Sequence, residues 1–196
     1  MALQPLLQHY PDVVVSVDTF RSSVARQCVE KYGVAMINDI SGGELDERMF
    51  DTVAQLRVPY IMMHMRGTPQ TMQQQTGYED VTADLLKYFS QKLERLFRLG
   101  VNDVILDPGF GFSKTLTQNY ELMRHLGDFR ILGLPLLVGV SRKSMIYKLL
   151  ETTPEESLNG TTVLHTYALL QGADILRVHD VRAAKEAIRI VQQLKG

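Results

Sequence analysis

Six times along this chain a short apolar or β-branched run gives way to a longer amphipathic stretch. That alternation constrains the fold more than any other feature. Strand-like runs stand at residues 13–17, 35–37, 60–63, 104–106, 136–138 and 175–178. Helix-like stretches follow at 21–32, 46–57, 119–126, 143–150 and 156–170. After the third run, Leu85, Leu86, Phe89, Leu93, Leu96 and Phe97 recur at spacings of three and four, ending at Gly100. Ala184, Ala187, Ile188, Val191 and Leu194 form a comparable face near the end. No strand-only or helix-only block interrupts the series. Two architectures remain, an open doubly wound parallel sheet and a β/α barrel. The strand runs are almost continuously apolar, as burial on both faces requires. No G-x-G-x-x-G follows the first run, which weakens the dinucleotide-binding version. Six units also fall short of the eight strands of an ordinary β/α barrel.

Composition limits the function classes. With 196 residues, 45% hydrophobic and 22% charged, the chain reads as one globular domain over 1–196. A net charge of −1 gives no electrostatic case for nucleic acid or membrane as partner. Cys28 is the single cysteine, so no internal disulfide can form and a reducing cytoplasm is the expected setting. The first ten residues do not make a signal peptide. The longest apolar run, 131–140, is broken by Gly133 and Pro135 and is too short to span a membrane.

The strand ends carry the chemistry. Successive runs finish on Asp18, on Asn38 and Asp39, on His64, on Asp107, on Ser141, Arg142 and Lys143, and on Arg177, His179 and Asp180. In a β/α barrel the loops after the strands converge on one mouth, where the active site lies. Any one of these residues is ordinarily a helix cap or turn residue. A polar terminus on every strand is harder to explain that way. Arg177 and His179 are two apart, hence on one side of a strand, and together with Lys143 can bind a phosphate or diphosphate. The Ser141-Arg142-Lys143-Ser144 stretch opens a helix, and helix N-termini favour anions. The plainer reading leaves Arg142 and Lys143 solvated. Two other chemistries stay open: a metal held by Asp18, His64, Asp107 and His179, although no close histidine pair occurs, and a Schiff base on Lys143. Asp107 opens Asp-Pro-Gly-Phe-Gly-Phe. A carboxylate there accepts hydrogen bonds, and Gly109 and Gly111 allow close backbone approach.

Read in order, "SVDT", "INDISGG", "MHMRGTPQTMQ", "LDPGFGFSKTLTQNYELMRHL", "LPLLVGVSRKSM" and "RVHDV" resemble the successive motifs of the dihydropteroate synthase family. The resemblance runs from about Val14 to the end. It implies a (β/α)8 TIM-type barrel of which about six units are present. It implies condensation of 6-hydroxymethyl-7,8-dihydropterin diphosphate with 4-aminobenzoate, giving 7,8-dihydropteroate and diphosphate, with Mg2+ as cofactor and sulfonamides as inhibitors. By motif, Asp18, Asn38, Asp107 and Lys143 would hold the pterin, and Arg177 and His179 the diphosphate. Phe112, Ser141 and Lys143 would receive the aminobenzoate. Asp18, Asp107 and Lys143 would be the catalytic set.

The family pattern also has two further N-terminal β–α units, with an "N-x-T-P-D-S-F" loop serving Mg2+ and an "E-S-T-R-P-G" loop contacting substrates. Neither motif occurs here. The expectation is therefore a pterin-binding chain with weak or absent turnover, no metal ligand of its own, exposed strand edges and the family's common homodimer. Two rivals share the pterin contacts: a methyltransferase moving a methyl group from a folate to a corrinoid protein, and a non-catalytic pterin-binding fragment. The cation cluster in "SRKSM" disfavours the methyltransferase.

Overall fold

The computed structural model describes residues 3–196. Its elements run α1 (Leu3–His9), β1 (Ser16–Asp18), α2 (Ser22–Tyr32), β2 (Met36–Asp39), α3 (Met49–Leu56), β3 (Tyr60–Met63), α4 (Val81–Arg98), β4 (Val104–Asp107), α5 (Leu116–Arg124), β5 (Leu137–Val138), α6 (Ser144–Tyr147), α7 (Leu158–Leu170), β6 (Ile175–Leu176) and α8 (Val181–Lys195). Strands β1 to β4 pair in chain order, all parallel. β5 pairs parallel with β6, and a Leu106–Leu136 bridge joins β4 to the approach of β5. Among the described residues the result is a β/α barrel wall of six parallel strands, where a closed barrel of this type has eight.

Two apolar clusters follow from the period-two alternation of each strand. Ile37, Tyr60, Met62, Leu106 and Val138 point outward and pack under the helices with Leu85, Phe89, Leu96 and Phe129. Ile61, Ile105 and Leu137, with Met36 and Ile175 against them, form a smaller cluster on the opposite, inner face. Helix α4 buries Leu85, Phe89, Leu93 and Leu96 and is capped by the Asp80 carboxylate, which accepts from the Ala83 N–H at 2.9 Å. Phe97, expected on that face, is 44% exposed.

Several boundaries differ from the sequence pattern. The first strand keeps only Ser16–Asp18, and Val13 and Val14 are exposed. The ladder to β2 begins at Ser16 opposite Met36, with the Val15 carbonyl accepting from the Ala35 N–H at 3.1 Å just before it, and Val13 and Val14 lie outside the ladder. Helix α5 starts at Leu116 because Thr115 and Gln118 form a reciprocal capping box. The expected helix over 143–150 shrinks to the four residues of α6. Arg142 at φ +54 turns the chain sharply just before it. Helix α1 lies outside the six-fold alternation and buries none of its side chains.

Candidate active site at the strand ends

The inner apolar layer fixes where the polar residues stand. Two residues beyond Met36, Ile61, Ile105, Leu137 and Ile175 come Asn38, Met63, Asp107, Gly139 and Arg177. Asp18 is opposite Asn38 in the β1–β2 register. A side chain two positions on lies on the same face of a strand. Asp18, Asn38, Asp107 and Arg177 therefore form one polar layer directly above the apolar one. Asn38 Nδ2 donates to Asp18 Oδ2 at 3.5 Å, and Arg177 Nη2 lies 3.8 Å from the same oxygen.

The adjacent positions face the helices, and this separates neighbours that look alike in sequence. Asp39 is fully buried and accepts from the Ser41 N–H, the Ser41 hydroxyl, the Gly43 N–H and the Tyr60 hydroxyl at 2.7–2.9 Å. It holds the turn after β2 and has no capacity left for a ligand. Asn38 is 7% exposed, and its Oδ1 has no donor.

Asp107 is buried, and Oδ1 accepts from the Gly109 N–H at 2.8 Å. Burial pushes its pKa up. Lys143, the Gly109 N–H, Lys114 and Arg177 pull it back. Burial also raises Asp18, with Arg177 opposing and Asp39 adding to the rise. Burial brings Lys143 down to about 8, with Asp107 opposing and Arg177 adding. Its Nζ donates to the Phe110 carbonyl and lies 4.7 Å from the centre of the Phe112 ring. Gly109 sits at φ +69, and any Cβ there would overlap the His64 carbonyl oxygen.

On the β5–β6 side a cavity of about 400 Å³ is lined by Gly139, Ser141, Lys143, Arg177 and His179 among others. Ser141 Oγ and His179 Nδ1 are 2.9 Å apart, and the His179 N–H reaches the same hydroxyl at 3.3 Å. Arg142 borders this cavity with its guanidinium committed elsewhere. Nε and Nη2 make a bidentate pair with Asp180 at 2.9 and 2.8 Å, and Nη1 reaches the Pro154 and Glu155 carbonyls. It is neither a solvated charge nor a free phosphate ligand; it braces three loops together. Helix α6 is too short to present the anion-binding N-terminus that the sequence pattern implied.

The alternative metal set is not assembled. Among the described residues no three His, Cys, Asp or Glu side chains are grouped to share an ion. His64 is 2% exposed, and its Nδ1 is 3.2 Å from Lys114 Nζ. Burial first, then Lys114 and Arg66, drive its pKa down to about 2, so the ring is neutral. Lys114 itself escaped the strand-end pattern, because it lies seven residues past the end of β4. The signal that finds it is its 4% exposure, rare for a lysine.

Comparison with known proteins places the chain in a family. The pattern of the pterin binding enzyme family matches residues 2–179. The dihydropteroate synthase of Synechocystis sp. is 43% identical over 186 residues, covering 93% of this chain and 64% of that protein. The crystal structure of the Yersinia pestis dihydropteroate synthase with a sulfonamide drug complex superposes with a TM-score of 0.92 at 38% identity, covering 98% of this chain and 70% of that one. The Thermus thermophilus enzyme in complex with 4-aminobenzoate gives 0.92 at 39% identity, covering 98% and 74%. The chain thus spans about 64% of the length of the first curated relatives it matches. Matches over nearly the whole chain, to the family pattern, to the curated relatives and to the solved structures alike, give one conclusion: this chain belongs to the pterin-binding enzyme family, on its dihydropteroate synthase branch.

Proposed function

We propose that this chain is the pterin-binding body of a dihydropteroate synthase, a single domain that joins 6-hydroxymethyl-7,8-dihydropterin diphosphate to 4-aminobenzoate. The observation that carries the proposal is the polar layer, with its buried, donor-less Asn38 Oδ1 on β2 and the buried Asp107 carboxylate two strands away on β4. A pterin edge offers N–H donors and ring acceptors together. The Asp107 carboxylate accepts from the amino group and the ring N–H, one on each oxygen, side by side. Asn38 serves a mixed edge, since its amide both donates and accepts. Lys143, with one proton on the Phe110 carbonyl, donates its other two to the ring carbonyl and nitrogen.

The diphosphate occupies the cavity beside Arg177 and His179. When the C–O bond breaks, its electron pair leaves with diphosphate, and the Arg177 guanidinium, with the His179 ring beside it, stabilises the departing charge. The positive charge left on the pterin methylene is stabilised by the Asp18 carboxylate. The amine nitrogen of 4-aminobenzoate, stacked near Phe112 and held by Ser141 and Lys143, then attacks and loses its proton to water. The described residues supply no ligand cluster for Mg2+, and none of these steps is routed through it.

Because the chain spans about 64% of those relatives, turnover by this chain by itself is expected to be low while pterin binding persists. We also assign it a cytoplasmic setting, suited to its one buried free cysteine, and a homodimer. Val163, Tyr167 and Leu170 make an exposed apolar stripe along α7, which a second copy would cover. Light scattering tests the dimer. Calorimetry with pteroic acid tests binding, and a coupled assay with the pterin diphosphate and 4-aminobenzoate tests turnover. Undetectable pteroic acid binding to a folded chain refutes the central proposal.

A further inference from the structure

Lys114 is an almost fully buried cation that none of the steps above uses. It lies in the segment between β4 and α5, and its ammonium group has three acceptors arranged around it. Nζ donates to the Gly109 carbonyl at 3.0 Å, to the Phe112 carbonyl at 3.0 Å, and to His64 Nδ1 at 3.2 Å. An ammonium has three protons and no lone pair, so three acceptors satisfy it completely. The neutral His64 ring must then carry its own proton on Nε2.

The rest of the loop is tied down from other sides. Gly111 N–H donates to Asn119 Oδ1 at 2.6 Å, and Gln73 Nε2 donates to the Gly111 carbonyl at 3.2 Å. The Phe110 carbonyl accepts from Lys143. Carbonyls 109 to 112 thus all have donors; Lys114 is the donor to the Phe112 carbonyl and shares the Gly109 carbonyl with the Phe112 N–H. Lys143 borders the diphosphate cavity, and with one bond, to the Phe110 carbonyl, its ammonium keeps two protons for a ligand. Lys114 lies behind the loop, 4% exposed, with every proton committed.

We infer that Lys114 is a positioning residue for the pterin site: it clamps the Gly109–Phe112 loop from behind and helps keep Asp107 ionised to accept the ring donors. The inference rests on the pterin-binding reading proposed above. It assigns two effects to one side chain. The first is mechanical, since losing the ammonium leaves the Phe112 carbonyl and a ring nitrogen without donors and the Gly109 carbonyl with only the Phe112 N–H at 3.1 Å. The second is electrostatic. The groups facing Asp107 are Lys143 from the turn after β5, Arg177 from the end of β6, and Lys114 from its own loop. Lys114 in turn faces Asp107, Lys143, Arg66 and His64. Burial lowers the Lys114 pKa to about 7, and Asp107 works against that pull, which marks the coupling between the two groups.

The test is Lys114→Met, which keeps the length and removes the charge. Amide exchange of residues 109–112 and pteroic acid affinity across pH are measured beside the unsubstituted chain. Exchange should rise in that loop while α4 and β2 stay protected. Pteroic acid binding should weaken about tenfold or more. The acid limb of binding should also move to higher pH, because removing a cation raises the Asp107 pKa. A loss of affinity with the acid limb unmoved and the loop amides unchanged overturns the inference. If the unsubstituted chain binds no pteroic acid, the pterin reading fails by itself, and loop exchange alone decides the clamp. If Lys114→Met does not fold, the ammonium resonance of Lys114 in the unsubstituted chain decides. A slowly exchanging ammonium signal supports the clamp, and exchange as fast as an exposed lysine's overturns it.

Discussion

The backbone at Gly109 makes the sharpest stability prediction. Its φ of +69 lies in the left-handed region, and a Cβ added there would sit well inside the 3.0 Å that real Cβ atoms keep from other heavy atoms. The atom it meets is the carbonyl oxygen of His64, which is backbone at the end of β3 and cannot swing aside as a side chain can. Gly109→Ala therefore carries two costs. Holding alanine at positive φ costs about 1–2 kcal/mol. Forcing the loop or the strand end apart costs about 1–3 kcal/mol more, as overpacking in a core does. Together they amount to a large share of the roughly 5–15 kcal/mol that keeps a domain folded. Gly133 is the control, since it has φ +64 but nothing within 4 Å of an added Cβ. Gly133→Ala carries only the first cost. Urea unfolding followed by circular dichroism gives both values in the same background. The difference between the two variants isolates the collision, and Gly109→Ala no more destabilised than Gly133→Ala would refute the reasoning.

Four further outcomes are expected. Asp107→Asn should weaken pteroic acid binding by about 1.5–3 kcal/mol, the worth of a charge-assisted hydrogen bond, with little loss of thermal stability. Ser113 is buried at φ +47, and its hydroxyl accepts from the Arg66 N–H at 2.9 Å. Both Ser113→Ala and Ser113→Gly lose that acceptor, but glycine alone relieves the backbone, so denaturant midpoints should rank glycine above alanine. Asp46 accepts from the Ser22 N–H at 2.8 Å and hydroxyl at 2.6 Å, and the Ser22 hydroxyl first, against an opposing desolvation, holds its pKa at about 2. A carboxylate lowered on folding stabilises the fold above its unfolded pKa and loses that effect as pH falls through the folded one. Acid unfolding of Asp46→Asn should therefore be flatter between about pH 4 and pH 2 than that of the parent. Arg142→Met should weaken inorganic diphosphate binding more than pteroic acid binding in calorimetry, since it frees the segment carrying His179 and Asp180.

The residues that sequence reading placed well share one property: their roles follow from strand period. The inner apolar layer is readable as Met36, Ile61, Ile105, Leu137 and Ile175. A step of two from each arrives at Asn38, Met63, Asp107, Gly139 and Arg177. The same period, had it been applied to "MIND", separates Asn38 from Asp39, whose side chain turns to the helices and binds Tyr60. Helix edges were less legible, because they were set by single contacts. The Thr115–Gln118 capping box was visible as T-x-x-Q and moves the start of α5 to Leu116. The collapse of the 143–150 helix to α6 was not visible, since nothing local forces Arg142 to φ +54. Its reason is tertiary: the guanidinium reaches Asp180, 38 residues away.

Lys114 shows the same limit from the functional side. In sequence it is one more lysine at the start of a helix, where solvation is the ordinary fate. Only the fold encloses it between His64 and the Gly109–Phe112 loop. The polar layer and this buried lysine then belong to one design in two depths. The residues facing the axis offer themselves to a ligand, and for that they must leave capacity unused, as Asn38 Oδ1 does. Unused capacity in a buried layer destabilises the empty site. The groups behind it, Lys114 and Asp39, are saturated with partners and supply the rigidity that the unsatisfied layer lacks. A substitution that frees capacity behind the layer should therefore harm binding by loosening the site. One that fills capacity in the layer should harm binding while stabilising the empty chain, and Asn38→Leu against Lys114→Met sets those two behaviours side by side.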